Sequence, residues 1–111
     1  GDLIDRLNRI ADDLGQLQPG LPEVLDTRAM VAIASGDGPK ALALAEAAVR
    51  EQPLRSSFRF TMARALLLEG RAAEARSEVM QAMRLLRREG RSESREMADM
   101  EAFLAETRNA A

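Results

Sequence analysis

Apolar positions along this 111-residue chain recur three and four residues apart, the spacing that places them on one face of an α-helix. The first 17 residues show the pattern most clearly, since their apolar stripe is separated by polar side chains: Leu3, Leu7, Ile10, Leu14 and Leu17. β-branched residues are few and do not alternate with polar ones, so strands are not predicted. The sequence therefore predicts an all-α protein.

Glycine and proline divide the chain into about six predicted helices joined by short connections. The first begins at Asp2 as cap and stops at Pro19. The second opens at Pro22 and the third at Pro39, and they end at Gly36 and before Pro53, respectively. The fourth, capped by Ser56 or Ser57, ends at Gly70. The fifth spans 72–88, and the sixth is capped by Ser92 or Ser94 and has the apolar face Met97, Met100, Phe103 and Leu104.

The chain also repeats itself once, at an offset of 34 residues. The matching positions are Thr27, Ala29, Gly36, Ala41, Ala48 and Arg50 with Thr61, Ala63, Gly70, Ala75, Ala82 and Arg84. A fixed period of this size, with glycine and small residues at matching positions, indicates a stack of helical hairpins. Small side chains such as Ala29 and Ala48 let crossing helices approach closely, and glycine can adopt a left-handed conformation at a helix end.

These residues resemble the tetratricopeptide repeat (TPR) family. The family's small and turn positions are matched by Ala29, Gly36, Ala41, Ala48 and Pro53, and again by Ala63, Gly70, Ala75 and Ala82. Its aromatic positions differ, since Leu25 and Arg59 stand where the family has tryptophan, and Arg87 stands where its second proline belongs. The resemblance implies a right-handed α-α superhelix of antiparallel hairpins.

Four segments follow from this register. Residues 22–53 and 56–88 are two repeats, and 92–109 is a C-terminal capping helix with a polar face. Residues 2–19 align with a second helix, because Pro19 aligns with Pro53, so this helix is unpaired or acts as a cap. We expect the chain to be the C-terminal module of a larger bacterial protein.

The amino-acid composition excludes several kinds of partner and active site. Sixteen basic and 18 acidic side chains give a net charge of -2, which argues against a nucleic-acid partner. With neither His nor Cys, zinc fingers, cysteine nucleophiles and Ser-His-Asp relays are excluded. No apolar run reaches the ~20 residues that span a bilayer. We therefore predict no enzyme activity, no cofactor, no metal site and no membrane span; Asp12 and Asp13 are interpreted as a solvated face.

In the TPR family, the first helix of each hairpin lines a concave groove. By resemblance, the groove residues here are Asp26, Met30, Ile33, Phe60, Arg64 and Leu67, flanked by Glu23 and Ser57. Arg91, Ser94, Ala98 and Glu101 would continue the surface on the sixth helix. Such a mixed groove suits an amphipathic helix or an extended segment of a protein partner. The alternative is that Phe60 and Leu67 cover a preceding hairpin or another subunit.

The resemblance implies a non-catalytic protein–protein interaction scaffold. The stretches 25–27 and 60–70 look like repeats of bacterial exopolysaccharide-export and envelope-assembly proteins. Alternatives are a self-associating structural segment, including a homodimer formed through the first helix, and an adaptor appended to an upstream enzyme. Five arginines cluster around the end of the fifth predicted helix: Arg84, Arg87, Arg88, Arg91 and Arg95. They could bind an anionic partner, but we prefer the interpretation that their positive charge stabilises the helix C-terminus.

Overall fold

The computed structural model describes residues 1–17 and 20–110, the side chains of residues 14–17 excepted. This part of the chain contains six α-helices and no strand. The helices are α1 (Asp2–Leu17), α2 (Pro22–Ala34), α3 (Gly38–Glu51), α4 (Ser56–Leu68), α5 (Ala72–Arg88) and α6 (Arg95–Asn109). The predicted all-α fold class is confirmed, while the predicted stop at Pro19 lies outside the described residues.

Helix caps agree with the sequence prediction at one end and differ at others. The Ser94 side chain caps α6 by accepting a hydrogen bond from the Met97 amide, 3.2 Å away. The predicted serine cap of α4 is wrong, because Arg55 holds the cap position with an extended backbone and no side-chain cap bond. Ser56 is instead the first helical residue, and it is buried.

Two helices, α1 and α3, begin one residue earlier than predicted. Asp37 caps α3, since its carboxylate accepts a hydrogen bond from the Lys40 amide at 3.3 Å. Asp2 lies inside α1, and the Gly1 carbonyl accepts the bond from the Asp5 amide at 3.1 Å. Neither shift changes the order of the helices.

The six helices pack in chain order. α2 packs on α3 and α4 on α5, each pair forming a hairpin through a short connection. α3 packs on α4 and α2 also contacts α4, so the two hairpins stack with their first helices side by side. α1 packs on α2 and α6 packs on α5, covering the two ends of the stack.

Three helices end at a glycine with positive φ: Gly36 at +78°, Gly70 at +76° and Gly90 at +74°. At Gly70, the glycine amide donates to the Leu67 carbonyl and the Arg71 amide donates to the Leu66 carbonyl, both at 2.9 Å. This pair of bonds is the Schellman motif, which satisfies carbonyls left free at a helix end. The left-handed backbone therefore explains these glycines and sets the sharp turn inside or after each hairpin.

Alanine forms the junction between the two hairpins. One core cluster consists of five buried alanines from α2, α3 and α4: Ala29, Ala32, Ala41, Ala45 and Ala65. A methyl group is the largest side chain that allows such close helix approach. Larger side chains fill the space between α4, α5 and α6, where Leu66, Val79, Leu86, Met97 and Met100 are each at most 2% exposed. The first helices of the hairpins are thereby fixed against each other.

Candidate functional site

Two cavities meet on the side of the stack that α2 and α4 share with α6. Their volumes are about 710 Å³ and about 420 Å³, and Phe60, Arg64 and Asp99 contribute to the walls of both. Both volumes lie within the usual range of ligand-binding clefts. We call the combined surface of these two cavities the groove.

All six residues predicted for the groove line it. Ile33, Phe60, Arg64 and Leu67 line the larger cavity, and Asp26 and Met30 join Phe60 and Arg64 in the smaller one. Met30 is 47% exposed and Arg64 is also exposed, while the other four are partly buried. The structure therefore brings these side chains, from two different hairpins, to one accessible surface.

Phe60 forms the centre of the groove. Its ring packs edge-to-face on the ring of Phe103 of α6, with centroids 5.6 Å apart and an interplanar angle of 84°. The guanidinium carbon of Arg64 lies 4.2 Å from the Phe60 ring centroid, a cation–π geometry. Phe60 is thus held in place from one side by the core and covered in part by a charged group that faces solvent.

The third wall of the groove comes from α6, and here the sequence prediction was incomplete. The larger cavity is lined by Asp99, Ala102, Phe103 and Glu106. Of the residues expected on this helix, Arg91 lines the smaller cavity, but Ser94, Ala98 and Glu101 line neither cavity. The family positions carried onto the sixth helix did not locate this wall, because α6 shows no identity at the 34-residue offset that would fix the alignment.

A signal for this wall was nevertheless present in the sequence. Ala102, Phe103 and Glu106 lie three, four and seven residues after Asp99, which is helical spacing, next to the apolar face already identified through Met100 and Phe103. A helix with one apolar stripe packs that stripe on its neighbour and presents the flanking residues at the edge of the contact. That edge is where the groove lies.

Asp26 is a groove residue with a shifted pKa and an oxygen atom that lacks a hydrogen-bond partner among the described residues. Burial raises the pKa of its carboxyl above the ordinary value of 3.8, and Thr61, Arg55 and Arg64 oppose this shift. Its Oδ1 atom is covered by protein and has no hydrogen-bond partner among the described residues. A partly buried carboxylate with an unsatisfied oxygen destabilises the folded protein. A cation or a hydrogen-bond donor near this carboxylate would therefore be favourable.

The arginine cluster lies on a different surface. Arg84 and Arg88 line a cavity of about 180 Å³ together with Leu54 and Leu85. Arg87 and Arg88 occupy the last turn of α5, where positive charge interacts favourably with the helix dipole. Arg91 is paired with Glu96 at 2.7 Å, so the arginines do not form one continuous surface.

The described residues offer neither a metal site nor a membrane-spanning helix. They contain no group of three or more carboxylate, His or Cys side chains placed to hold a metal ion. In the same part of the chain, no helix is both long and apolar enough to span a membrane.

The chain was also compared with known proteins. A family model described as tetratricopeptide repeat matches residues 32–95, which is more than half of the chain. Neither the curated proteins nor the solved structures gave a match. The matched region includes the second helix of the first hairpin, the whole second hairpin and the start of α6. The chain belongs to the tetratricopeptide repeat family.

Proposed function

We propose that this domain is a non-catalytic protein-interaction module that receives a segment of a partner protein in the groove. TPR domains generally mediate protein–protein interaction and are typically non-catalytic scaffolds. The observation that carries the proposal is the convergence of the six predicted groove residues, from α2 and α4, on one open surface.

The chemistry of the groove favours an amphipathic segment. Its apolar members include Met30 and Leu68, which are 47% and 43% exposed and therefore leave apolar area for a partner to bury. Phe60 adds a half-exposed aromatic ring at the centre. Charged side chains at the edge, among them Asp99 and Glu106, fix the position of a segment whose apolar side chains enter the groove.

The test compares two methionines of equal exposure. Met30 lies in the groove and is 47% exposed, while Met80 of α5 is 46% exposed and lines neither groove cavity. The purified domain is panned against a phage library of random 12-residue peptides, and enriched peptides are synthesised for fluorescence anisotropy. We expect Met30→Glu to abolish their binding and Met80→Glu to leave it unchanged, with circular dichroism melting curves verifying that both variants fold.

Two results would reject the groove as a binding site. One is an absence of peptides that bind wild type better than the Met30→Glu variant. The other is equal loss of binding in both methionine variants, which would report general hydrophobic adsorption rather than recognition by the groove.

Self-association through α1 is a second candidate, supported by a separate surface. Leu3 and Ile10 are 67% and 58% exposed on this helix, at the spacing of two helical turns. A second copy could bury this stripe in an antiparallel or parallel helix pair. Sedimentation equilibrium of wild type and of the double variant Leu3→Glu/Ile10→Glu tests this self-association. If copies associate through α1, wild type forms an oligomer and the double variant is a monomer.

The expected place of the domain in a larger bacterial protein, its role in envelope or exopolysaccharide assembly, and the adaptor alternative stay predictions. The coding sequence upstream of residue 1 tests all three.

A further inference from the structure

The charge of Asp26 is not balanced within the protein. The residue lies on α2 in the wall of the smaller cavity, and its Oδ1 has no hydrogen-bond partner among the described residues. Oδ1 itself is covered by protein, but the side chain as a whole is only partly buried, so a cation in the cavity can act on the carboxylate charge without contacting Oδ1. Buried carboxylates are normally paired or fully hydrogen-bonded, and Asp26 therefore needs explanation.

Two arginines, Arg55 and Arg64, act on Asp26 through their charge, but neither forms an ion pair with it. Arg55 donates to Glu23 at 2.7 Å and to Gln52 at 3.0 Å, and its guanidinium lies 4.3 Å from the Phe58 ring centroid. The bond from Arg55 also lowers the pKa of Glu23 below its ordinary value, which shows where this cation acts. Arg64 is stacked on Phe60 and forms no ion pair with the described residues.

The rest of the smaller cavity adds negative charge rather than removing it. Asp99 lines the same cavity and belongs to no ion pair in the described part of the chain. Glu89 and Glu96 line it too, but Arg91 lies 3.7 Å and 2.7 Å from them. Asp26 and Asp99 thus face a cavity in which Arg64 is the one cation of the described residues outside an ion pair, so negative charge is in excess beside the apolar side chain of Met30.

From this arrangement we infer that the partner segment carries a lysine or arginine that lies against Asp26 while its apolar side chains cover Met30 and Phe60. The inference rests on the proposed function and specifies its partner: a basic amphipathic protein segment. A cationic side chain in the cavity would satisfy the carboxylate that the fold leaves unpaired, and Asp99 would add attraction at the rim. Opposite charge gives specificity, because an acidic segment would be repelled by the same two carboxylates.

The unpaired carboxylate also marks Asp26 as a binding rather than a structural residue. A structural aspartate is stabilised by its folded surroundings, which would lower its pKa, whereas the pKa of Asp26 is raised by burial. The domain retains a group that works against its own stability at neutral pH, and such groups are typical of binding sites.

The experiment uses the peptides selected by the library and a change of charge on both sides. Wild type and Asp26→Asn are each titrated with an enriched peptide and with the same peptide carrying glutamine in place of its basic residue. We expect enrichment of Lys or Arg beside apolar residues, and about tenfold weaker binding of the basic peptide to Asp26→Asn. The glutamine peptide should bind both proteins equally.

Two variants control for effects unrelated to this contact. Glu101→Gln removes an exposed acid of α6 outside both groove cavities and should leave the affinity of the basic peptide unchanged. Asp26→Glu keeps the charge and should retain most of the preference for the basic peptide over the glutamine peptide, which a purely steric role of the side chain would not produce.

The outcomes separate the two proposals. Selected peptides that require Met30 but show no basic enrichment, or bind Asp26→Asn as well as wild type, overturn this inference and leave the groove as a binding site. Enrichment of acidic peptides also overturns it. A domain that self-associates, and becomes monomeric in Met30→Glu, assigns the groove to a second copy and overturns it too. If no peptide distinguishes wild type from Met30→Glu, the proposed function falls and this inference with it.

Discussion

Arg59 of α4 and Glu78 of α5 form an ion pair inside the second hairpin, with Nη1 of Arg59 3.1 and 3.2 Å from the two carboxylate oxygens of Glu78. The two side chains are only 19% and 15% exposed. Nε of Arg59 also donates to the Pro53 carbonyl at 2.9 Å, which ties the connection before α4 to the same side chain. Arg59 stands where the TPR pattern has tryptophan, and here its charged group links α4 to α5 and to the connection before α4.

Breaking this pair should destabilise the domain. Glu78→Ala leaves a partly buried guanidinium without its carboxylate, and we expect the free energy of unfolding to fall by about 2 kcal/mol. The measurement is urea denaturation followed by circular dichroism.

The exposed pair Arg71–Glu74, at 2.6 Å at the start of α5, provides the matched control. Glu74→Ala should change stability little, because solvent screens a surface pair. Equal losses in the two variants would show that helix propensity, and not burial of the ion pair, is being measured.

The residues that repeat at the 34-residue offset explain why the fold could be predicted from the sequence. Gly36 and Gly70 occupy left-handed positions, and Ala29 and Ala63 are fully buried, so both kinds of residue are determined by local backbone or close packing. The glycine constraint is local, and the small-residue constraint recurs at the same position of each repeat, so both leave a signal in the sequence. The bounds of α5, set by Gly70 and Gly90, were accordingly predicted to the residue.

The features that could not be predicted depend on side chains meeting across helices. Nothing in the sequence around Arg59 indicates that it pairs with Glu78, and Phe103 gives no local signal that it packs on Phe60. The wall that α6 adds to the groove was missed although its helical spacing is present in the sequence, because the 34-residue repeat does not extend to α6. The groove residues on α2 and α4 were located through the family register, whereas the unpaired oxygen of Asp26 becomes visible only in three dimensions.

Ala82 is a position where a larger side chain has no room. It is fully buried on α5 against the cluster that contains Leu86 and Met97. Ala82→Phe should lower the free energy of unfolding by about 1–3 kcal/mol through overpacking. Ala73→Phe, at an exposed position of the same helix, is the control for helix propensity. If Ala82→Phe and Ala73→Phe melt at the same temperature, the helix register is misassigned.

Gly70 should tolerate asparagine better than alanine. Its φ of +76° is strained for residues with a Cβ, yet an added Cβ would meet no atom within 4 Å, so backbone conformation alone determines the cost. Gly70→Ala should destabilise by about 1–2 kcal/mol, and Gly70→Asn by less, because asparagine enters the left-handed region more readily. Thermal melts of wild type and the two variants rank their stabilities. A Gly70→Ala variant more stable than Gly70→Asn would contradict the assigned turn.

Asp26 should make the stability of the domain depend on pH in the direction opposite to a paired aspartate. Burial raises the pKa of its carboxyl in the folded state above the ordinary value of 3.8, so the folded state binds this proton more tightly than the unfolded state. The contribution of Asp26 to stability is then fully present below pH 3.8 and is lost as the pH rises through the folded-state pKa. Ionised Asp26 therefore weakens the folded domain at neutral pH.

Asp26→Asn keeps the shape of the side chain and stays neutral at every pH. We expect its Tm to exceed that of wild type at pH 7, and the difference to shrink as the pH falls towards 3.8. Glu101→Gln, which removes an exposed acid outside the groove, corrects for the change in net charge. A Tm difference that does not vary with pH would mean that folding leaves the pKa of Asp26 unchanged, and an asparagine variant less stable than wild type at pH 7 would mean that the folded protein stabilises the carboxylate. The cation inferred for the partner would then have no unpaired charge to meet.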